Sequence, residues 1–190
     1  MSAPPTTAFD VLAGIVRERR TSMFVDLDRP VDQQTIAELC SLAAWAPCHK
    51  RTWPWRFASF TGDGRRRLGA TAAEAMQRAG ADASKVDKTR TKYLRAPALL
   101  VVGSVPGGDD VRTAENRDAT AAAVQNLLLG ATALGLASYW SSCTTPAQSA
   151  VARLAGFEPG TTIVAMVYLG WPLRGCPVPD RPPVELTHIS

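Results

Sequence analysis

The sequence contains few of the residues from which metal centres and disulfide frameworks are built. It has four cysteines and two histidines in 190 residues, and no two cysteines are spaced as CxxC. Structural zinc sites need clusters of such ligands, so a zinc framework and a bound metal are not expected. The cysteines are predicted to be free thiols in a reducing cytoplasm.

Three common fingerprints of catalytic and nucleotide sites are also missing. The chain contains no GxxxxGK[ST], no GxGxxG and no GxSxG. A P-loop, a Rossmann dinucleotide domain and a hydrolase nucleophile elbow are therefore not predicted. Cys48 and His49 are neighbours, but the side chains of adjacent residues rarely face one another. A thiol nucleophile with its own base is not predicted there.

Long apolar runs are absent as well. The longest candidate, residues 119–140, is interrupted by Gln125, Asn126, Gly130 and Gly135. This pattern predicts a buried helix leading into a strand, and no membrane span. The opening MSAPPTTAFD has no basic segment followed by an apolar one, so no secretory signal is expected. We expect a cytoplasmic protein.

Composition and charge allow one folded domain. With 46% hydrophobic and 20% charged residues, the chain has enough apolar surface to exclude intrinsic disorder and to build one core over residues 1–190. The net charge of +4 suits an anionic small ligand as well as nucleic acid. Arg65–Arg67 has no accompanying aromatic platform, so it is interpreted as a solvated helix face and no nucleic-acid partner is expected.

Local patterns predict a mixture of helices and strands without strict alternation, which favours an α+β fold. Thr7 and Asp10 form a capping-box pattern at the first helix, and Asp32 precedes the second, which Pro47 should end. Thr145 and Gln148 predict another capping box. Further helices are predicted over 65–80, 84–95 and 113–134, strands over 55–61, 97–104 and 161–171, a turn at 62–64, and an extended tail from residue 172.

Three separated segments each suit part of a flat, phosphorylated aromatic ligand. Residues 19–22, RRTS, combine two guanidinium groups and two hydroxyls near a helix end, which suits a phosphate monoester. A solvated, capped helix end is the alternative. Residues 45–55 hold three tryptophans, one histidine and two basic residues, and residues 140–142 read WSS. Core packing accounts for each tryptophan separately, but it does not explain all three segments together.

These segments resemble the nitroreductase family of FMN-dependent NAD(P)H oxidoreductases over nearly the whole chain. Residues 19–24, RRTSMF, resemble the family's RRSxRxF, and residues 42–57, LAAWAPCHKRTWPWRF, resemble its ARxAPSxxNxQPWRF. Residues 123–140 are similar to its most recognisable helix, and YLGWP with the later DRPPVEL resembles its C-terminal end. The sequence APCHK at 46–50 is similar to the APDHK motif of the compact NAD(P)H nitroreductase subgroup.

The resemblance implies an α+β fold with a central, mostly antiparallel sheet flanked by helices, in an intertwined homodimer. Each of two sites, built from both subunits, would hold FMN. NAD(P)H would transfer hydride to flavin N5, and an electron-poor small molecule such as a nitroaromatic or quinone would then accept it, with ping-pong kinetics. No protein nucleophile is implied, because the flavin carries the chemistry.

The resemblance also implies which residues bind the cofactor. Arg19, Arg20 and Thr21 match positions at the FMN phosphate and ribityl chain, and Arg181 matches a late basic residue near the phosphate. Lys50 and the backbone around Ser141 are candidates to stabilise charge near flavin N1. The flavin-contacting matches are Trp45, His49 (reaching the partner subunit's FMN), Trp140, Ser141 and Ser142. A segment associated with nicotinamide nucleotide matches Gly130, Ala131, Thr132, Ala133, Leu134 and Gly135.

Two departures from the family pattern leave other functions open. Met23 stands where many members have a third arginine, and Trp53 replaces the usual glutamine before Pro54-Trp55. One alternative is an FMN-binding storage or sequestration protein with little turnover. Another is a related flavin-dependent dehalogenase or flavin-fragmenting enzyme.

Overall fold

A computed structural model describes residues 6–189 of the chain. The first five residues, MSAPP, and Ser190 lie outside the described residues. The sequence prediction about the N-terminal segment therefore lies partly outside the described residues. The same is true of the two ends of the domain predicted over 1–190.

A four-stranded antiparallel sheet forms the centre of the fold. Its strands are β1 (Trp55–Thr61), β2 (Ala98–Ser104), β3 (Ala137–Ser141) and β4 (Thr162–Gly170), in the spatial order β1-β2-β4-β3. Each neighbouring pair is antiparallel. The predicted α+β class with an antiparallel sheet is confirmed. Three strands lie within a residue or two of their predicted bounds, whereas β3 was predicted only as the end of an apolar stretch.

Six α-helices surround the sheet among the described residues. They are α1 (Ala8–Glu18), α2 (Gln33–Ala43), α3 (Asp63–Arg78), α4 (Ala83–Lys92), α5 (Asp110–Ala133) and α6 (Gln148–Leu154). The predicted capping box at α1 is confirmed, since the Thr7 hydroxyl accepts from the Asp10 amide and the Asp10 carboxylate accepts from the Thr7 amide. Asp32 caps α2 by accepting from the Thr35 amide at 2.8 Å.

Three local predictions differ from the structure. Helix α2 ends at Ala43, before Pro47, because the Trp45 and Ala46 amides donate to the carbonyls of Leu42 and Ala43, three residues back, and form turns in place of further α-helix. The predicted turn at 62–64 is shorter in the structure, because helix α3 already begins at Asp63. Gly62, with φ of 48°, makes the turn. The capping box at Thr145 is wrong, because the Gln148 side chain accepts instead from the Ile163 amide at 2.9 Å, at the start of β4.

The sheet has a core on each face because alternate strand residues point to opposite sides. On β2, Leu100 belongs to the cluster under α2 and α5, whereas Leu99 and Val101 belong to the cluster under α3 and α6. The whole of β2 is buried, as its continuous apolar run predicts. Helices therefore cover both faces of the sheet, and its edges and loops are left to bind ligands.

Two segments at the ends of the chain contrast with this packing. Helix α1 has no buried residue, and its apolar side chains Phe9, Val11, Leu12 and Val16 are 47–73% exposed. The tail from Pro172 to residue 189 carries no helix or strand. Its extended conformation stays a prediction. Within residues 6–189, no helix combines the length and apolar character needed to cross a membrane.

Candidate functional site

Arginine side chains converge where the end of α1 meets the C-terminal tail. A cavity of about 510 Å³ is lined there by four arginines and by no carboxylate, and we call it the arginine cavity. Its volume lies within the range of small-molecule sites. Its lining residues are Val16, Arg17, Arg19, Arg20, Gln125, Val178, Pro179 and Arg181. An adjoining cavity of about 410 Å³ shares four of them and adds Thr21, Phe24, Cys176 and Pro177.

The chain after α1 runs beside the start of β3, which brings two predicted segments together. Thr21 forms an isolated parallel bridge with Ser138, and the Ser22 amide donates to the Ser138 carbonyl at 3.0 Å. Strand β3 continues from Ser138 to Ser141, about 10 Å further at the usual rise per strand residue. Residues 19–22, which suit a phosphate monoester, and residues 140–142 (WSS) are thus neighbours, although more than 110 residues separate them in sequence.

The tail carries Arg181 to the same place because its first residues are fixed to the segment after α1. Val25 pairs with Pro172, and the Leu173 amide donates to the Phe24 carbonyl at 2.9 Å. The Arg174 guanidinium lies over the Phe24 ring, 3.8 Å from its centroid. Sequence reasoning did not identify Arg17 and Arg174 as part of this region. The density of arginine in both segments was the available signal.

Arg20 uses much of its guanidinium group on backbone carbonyls. Its Nε donates to the Pro177 carbonyl at 3.2 Å, and its Nη1 donates to the carbonyls of Arg17 and Arg19. An arginine has five N–H donors, so Nη2 remains for an anion in the cavity. Within residues 6–189, none of the four cavity arginines forms a salt bridge. Within the described part of the chain, no carboxylate oxygen therefore lies within salt-bridge distance of these guanidinium groups.

The remaining predicted residues near β3 differ in accessibility. Trp140 is 38% exposed and donates its Nε1 hydrogen to the Val164 carbonyl at 3.3 Å. Ser141 is half-buried and Ser142 is exposed. Thr132 lines a small cavity of about 140 Å³ together with Arg20. Strand β3 is an edge strand of the sheet, so a flat ligand can reach Trp140 and Ser141.

The predicted nicotinamide-nucleotide segment is only partly accessible. A Cβ on Gly130 would lie 2.7 Å from Leu42 Cδ2, so this glycine serves the close packing of α5 on α2. Ala131 is fully buried. The packing of Gly130 and Ala131 leaves no room for contact with a nicotinamide nucleotide. Thr132 is half-buried, whereas Ala133, Leu134 and Gly135 are exposed, and the prediction stays open for these four.

The second segment forms a separate surface, the tryptophan loop (residues 45–53). Trp45 is 83% exposed, and His49 and Lys50 are also exposed. The loop is attached to α5, because His49 Nδ1 lies 3.0 Å from Glu115 Oε1 and the Thr52 hydroxyl donates to Asn116 Oδ1 at 2.6 Å. Sequence reasoning missed these α5 residues, and only the polar Asn116 in an alanine-rich helix offered a signal.

The tryptophan loop and the arginine cavity are not joined within one chain. Among residues 6–189, no hydrogen bond connects the residues of one to those of the other. The structure therefore brings together residues 19–22, 138–142 and 181, and leaves the loop as a second group. No group of three or more His, Cys, Asp or Glu side chains among the described residues is arranged to hold a metal.

Two of the four cysteines lie in these groups: Cys176 beside the arginine cavity, and Cys48 in the tryptophan loop, where its Sγ lies 3.3 Å from Thr52 Oγ1. All four are free, as predicted. Burial raises the pKa of the Cys40 and Cys143 thiols to about 11, so both remain protonated at neutral pH. Cys176 is half-buried and lines the cavity next to Arg19 and Arg20.

Comparison with known proteins identifies the family. The model of the nitroreductase family matches residues 16–171, which is more than half of the chain. The protein belongs to the nitroreductase family. The resemblance carried by the sequence motifs is thereby confirmed, whereas assignment to the APDHK subgroup stays a prediction.

Individual members of the nitroreductase family match most of the chain. The Escherichia coli K12 protein named "Putative NAD(P)H nitroreductase YdjA" is 28% identical over 164 residues, covering 86% of this chain and 88% of that protein. The Bacillus subtilis protein named "Putative NAD(P)H nitroreductase YfhC" is 28% identical over 180 residues, covering 92% and 91%. The names assign these two relatives to NAD(P)H-dependent reduction.

Solved structures show the same fold. A nitroreductase-like family protein from Bacillus cereus superposes with a TM-score of 0.80 at 25% identity, covering 98% of this chain and 99% of that one. A Bacteroides fragilis nitroreductase with bound FMN superposes with a TM-score of 0.72 at 20% identity, covering 94% and 98%. The second match, at its lower identity, supports the nitroreductase fold alone.

Proposed function

We propose that this nitroreductase-family protein is an FMN-dependent oxidoreductase that passes reducing equivalents from NAD(P)H to an electron-poor small molecule, such as a nitroaromatic or quinone. Family membership and the names of the two relatives support this class of reaction. The observation that carries the cofactor assignment is the arginine cavity, with four guanidinium groups beside Thr21 and β3.

The residues present fit the phosphate end of FMN. Guanidinium groups bind phosphate oxygens through paired, charge-assisted hydrogen bonds, and the lining of the arginine cavity contains no carboxylate to repel a phosphate. Arg19 and Arg181 have no salt-bridge partner among residues 6–189, and Arg20 retains Nη2. The chemistry of the donor set therefore matches a phosphate monoester, although Met23 removes one basic residue that many family members have.

The chain's own residues bind and orient the cofactor. We assign Arg19, Arg181 and Arg20 Nη2 to the phosphate, and the adjoining Thr21 hydroxyl to the ribityl chain. When bound, FMN supplies the hydride-accepting and hydride-donating chemistry at N5. Trp140, Ser141 and Ser142 would lie beside the ring system, at the end of β3. The backbone around Ser141 would stabilise negative charge near flavin N1. The Lys50 ammonium would do the same only across a homodimer, because the tryptophan loop lies apart from the arginine cavity of its own chain.

The second group of residues would complete the site across a homodimer. Trp45 and His49 are exposed on the tryptophan loop. Among residues 6–189, no hydrogen bond links this loop to the arginine cavity of the same chain. Helix α1 and the tail expose apolar side chains that a second copy would cover: Phe9, Leu12, Val178, Val184 and Leu186 are 53–90% exposed. Large apolar patches of this kind mark protein interfaces.

The dimer is tested by light scattering after size-exclusion chromatography. We expect twice the 20.3 kDa chain mass for the wild type. Leu12→Arg, on the exposed face of α1, should give a monomer with weakened FMN binding, while Arg67→Ala on the exposed side of α3 should change neither. A wild-type protein that is monomeric at micromolar concentration and still binds FMN tightly would contradict a site shared by two subunits.

NAD(P)H and the electron acceptor would bind in turn at the same face of the flavin. The sequence has no GxGxxG fingerprint for a separate dinucleotide domain, so a single exposed flavin face serves both molecules. This arrangement predicts ping-pong kinetics. Intersecting lines in a double-reciprocal plot of rate against both substrates would contradict it. With all four cysteines free, a reducing cytoplasmic location is part of the proposal.

The decisive experiment is titration with FMN. A freshly purified sample should be yellow, and saturating FMN should raise Tm through binding to the native state and change the fluorescence of the flavin. If saturating FMN alters neither quantity in a folded sample, the proposal fails. Anaerobic stopped-flow mixing with NADH and NADPH then separates the enzyme from a storage protein, since only an enzyme bleaches rapidly. Product analysis after aerobic turnover separates reduction of the acceptor from dehalogenation or flavin fragmentation.

A further inference from the structure

The tryptophan loop contains backbone conformations that its residues disfavour. Lys50, Arg51 and Trp53 have φ values of 59°, 53° and 45°. Side chains with a Cβ are crowded in this left-handed region, and a bulky residue such as tryptophan is rare there. These are the only residues other than glycine with positive φ in the part of the chain that the structure describes. All three occur within four positions.

Surrounding side chains hold this conformation in place from two directions. On the α5 side, Asn116 is 3% exposed, accepts from the Thr52 hydroxyl at 2.6 Å and donates its Nδ2 hydrogen to the Val105 carbonyl at 3.1 Å. On the strand side, Arg56 Nη1 donates to the Trp53 carbonyl at 3.2 Å. Arg56 is itself fixed by Glu158, with N–O distances of 2.7–3.0 Å.

The result is a rigidly supported indole that faces solvent. Trp53 remains 53% exposed, and its ring contacts the ring of the buried Trp55 edge-on, with centroids 5.8 Å apart. Core packing does not account for this conformation, because the core cluster includes Trp55 and not Trp53. Strained backbone that the surroundings enforce is concentrated at ligand sites and active sites. An exposed aromatic face held this way is a surface on which a flat molecule can stack.

The tryptophan loop also carries basic side chains. Lys50 and Arg51 are both exposed, and neither is in a salt bridge within residues 6–189, whereas His49 is paired with Glu115. Lys50 and Arg51 thus place two cations in the same short loop as the exposed Trp53 ring, a composition that favours an aromatic ligand carrying an anionic substituent. An arene carboxylate has this combination of a planar ring and a negative charge.

We propose that Trp53 is the stacking surface for the electron acceptor, that the preferred acceptors are planar aromatics with an anionic group, and that Asn116 and Thr52 position Trp53. The inference rests on the proposed function, since it names the acceptor class for the same site. Trp53 contacts the acceptor in this proposal, whereas Asn116 and Thr52 act only through the loop.

The test is equilibrium binding to the FMN-loaded protein without NAD(P)H, so that no turnover occurs. Isothermal titration calorimetry compares 4-nitrobenzoate with cyclohexanecarboxylate, which has the same charge but no planar ring. Aromatic pairs contribute enough that Trp53→Leu should weaken binding of 4-nitrobenzoate by roughly two- to twelvefold. Trp53→Phe should keep most of the wild-type affinity, and cyclohexanecarboxylate should bind both variants as weakly as it binds the wild type.

A separate variant tests whether Asn116 and Thr52 position Trp53. Thr52→Val keeps the shape of the side chain and removes the hydrogen bond to Asn116, so the protein should fold. We expect the KM for 4-nitrobenzoate to rise by the same factor as in Trp53→Leu, with kcat nearly unchanged. Tm should fall in either case, because the buried Asn116 Oδ1 loses its donor, so an unchanged KM would show a purely structural role.

Several results would overturn the inference while leaving the proposed function intact. One such result is a wild type that binds FMN but not 4-nitrobenzoate. Another is a Trp53→Leu variant that binds 4-nitrobenzoate as well as the wild type does. Equal losses for both probes, or loss of FMN itself from Trp53→Leu, would assign the loop to general folding or to the cofactor. Failure of the proposed function is recognised separately, because the wild type would then not bind FMN at all.

Discussion

Arg20 and Pro177, 157 positions apart, are joined by a hydrogen bond of 3.2 Å from the arginine Nε to the proline carbonyl. The same guanidinium donates to two carbonyls at the end of α1. This contact joins the helix end to the tail that carries Arg181. Arg20 is therefore both a structural link and a candidate phosphate ligand, and the two roles are separable by experiment.

Arg181→Ala and Arg20→Ala should weaken FMN binding to different extents and with different effects on the fold. Loss of a charge-assisted contact, about 1.5–3 kcal/mol, raises Kd about ten- to a hundredfold. We expect Arg181→Ala to do this with Tm of the FMN-free protein unchanged, because its side chain is exposed. Arg20→Ala should also lower that Tm by several degrees, since three backbone contacts are lost.

Arg67→Ala is the matched control for both variants, because it removes an exposed arginine from α3 without touching the arginine cavity. FMN fluorescence titration and thermal unfolding provide the two measurements. Unchanged FMN affinity in Arg181→Ala and Arg20→Ala would refute the phosphate assignment, whatever happens to Tm.

Gly130→Ala should destabilise the protein through the contact between α5 and α2. The added Cβ would lie 2.7 Å from Leu42 Cδ2 and 3.0 Å from Leu39 Cδ2, so both side chains must shift. Overpacking of this kind costs about 1–3 kcal/mol of unfolding free energy. Gly64→Ala in α3, where the nearest atom would be 3.7 Å away, should be neutral or slightly stabilising. Urea unfolding measures both, and equal values would show that α2 adjusts freely.

Asp32→Ala should lower Tm at neutral pH, with a smaller effect in acid. The Thr35 amide and hydroxyl donate to the Asp32 carboxylate and hold its pKa below the ordinary value. A lowered folded-state pKa means stability that is present above the unfolded pKa of about 3.9 and is lost as pH falls through the lower folded value. The Tm difference from wild type should therefore shrink below about pH 4.

Asp28→Ala serves as the control for the pH experiment, since it removes another exposed carboxylate just before α2. Its Tm difference from wild type should be small and nearly independent of pH. A constant difference for Asp32→Ala between pH 7 and pH 3 would mean that the cap stabilises α2 without its charge.

The four cysteines should divide into two reactivity classes. Burial raises the pKa of Cys40 and Cys143 to about 11, so both should react with a disulfide reagent at pH 8 much more slowly in the folded than in the unfolded protein. Cys48 and Cys176 are half-buried in loops and should react in the folded state. Saturating FMN should slow the labelling of Cys176, which lines the cavity beside Arg20. Mass spectrometry of labelled peptides identifies each site, and protection of Cys48 alone would contradict the assignment.

Local order in this protein is largely readable from its sequence. The Thr7–Asp10 capping box, the Asp32 cap and the fully buried strand β2 depend on side chains within a few positions of one another, and each was predicted in place. The order of four motifs also identified the nitroreductase family before any fold was known. The capping box at Thr145 failed because β4, distant from the local pattern, competes for the Gln148 side chain.

The candidate site depends on contacts that no local pattern contains. Arginines near positions 20 and 181 meet because the tail pairs with the segment after α1, and Thr21 meets Ser138 across more than a hundred residues. The sequence determined which side chains have the charge and flat rings to bind a phosphorylated aromatic molecule. Only tertiary packing decided which of them share a cavity, since that depends on how helices and strands distant in sequence bury their apolar faces. It also decided that Arg20 donates much of its guanidinium to the backbone and that Gly130 lies against α2.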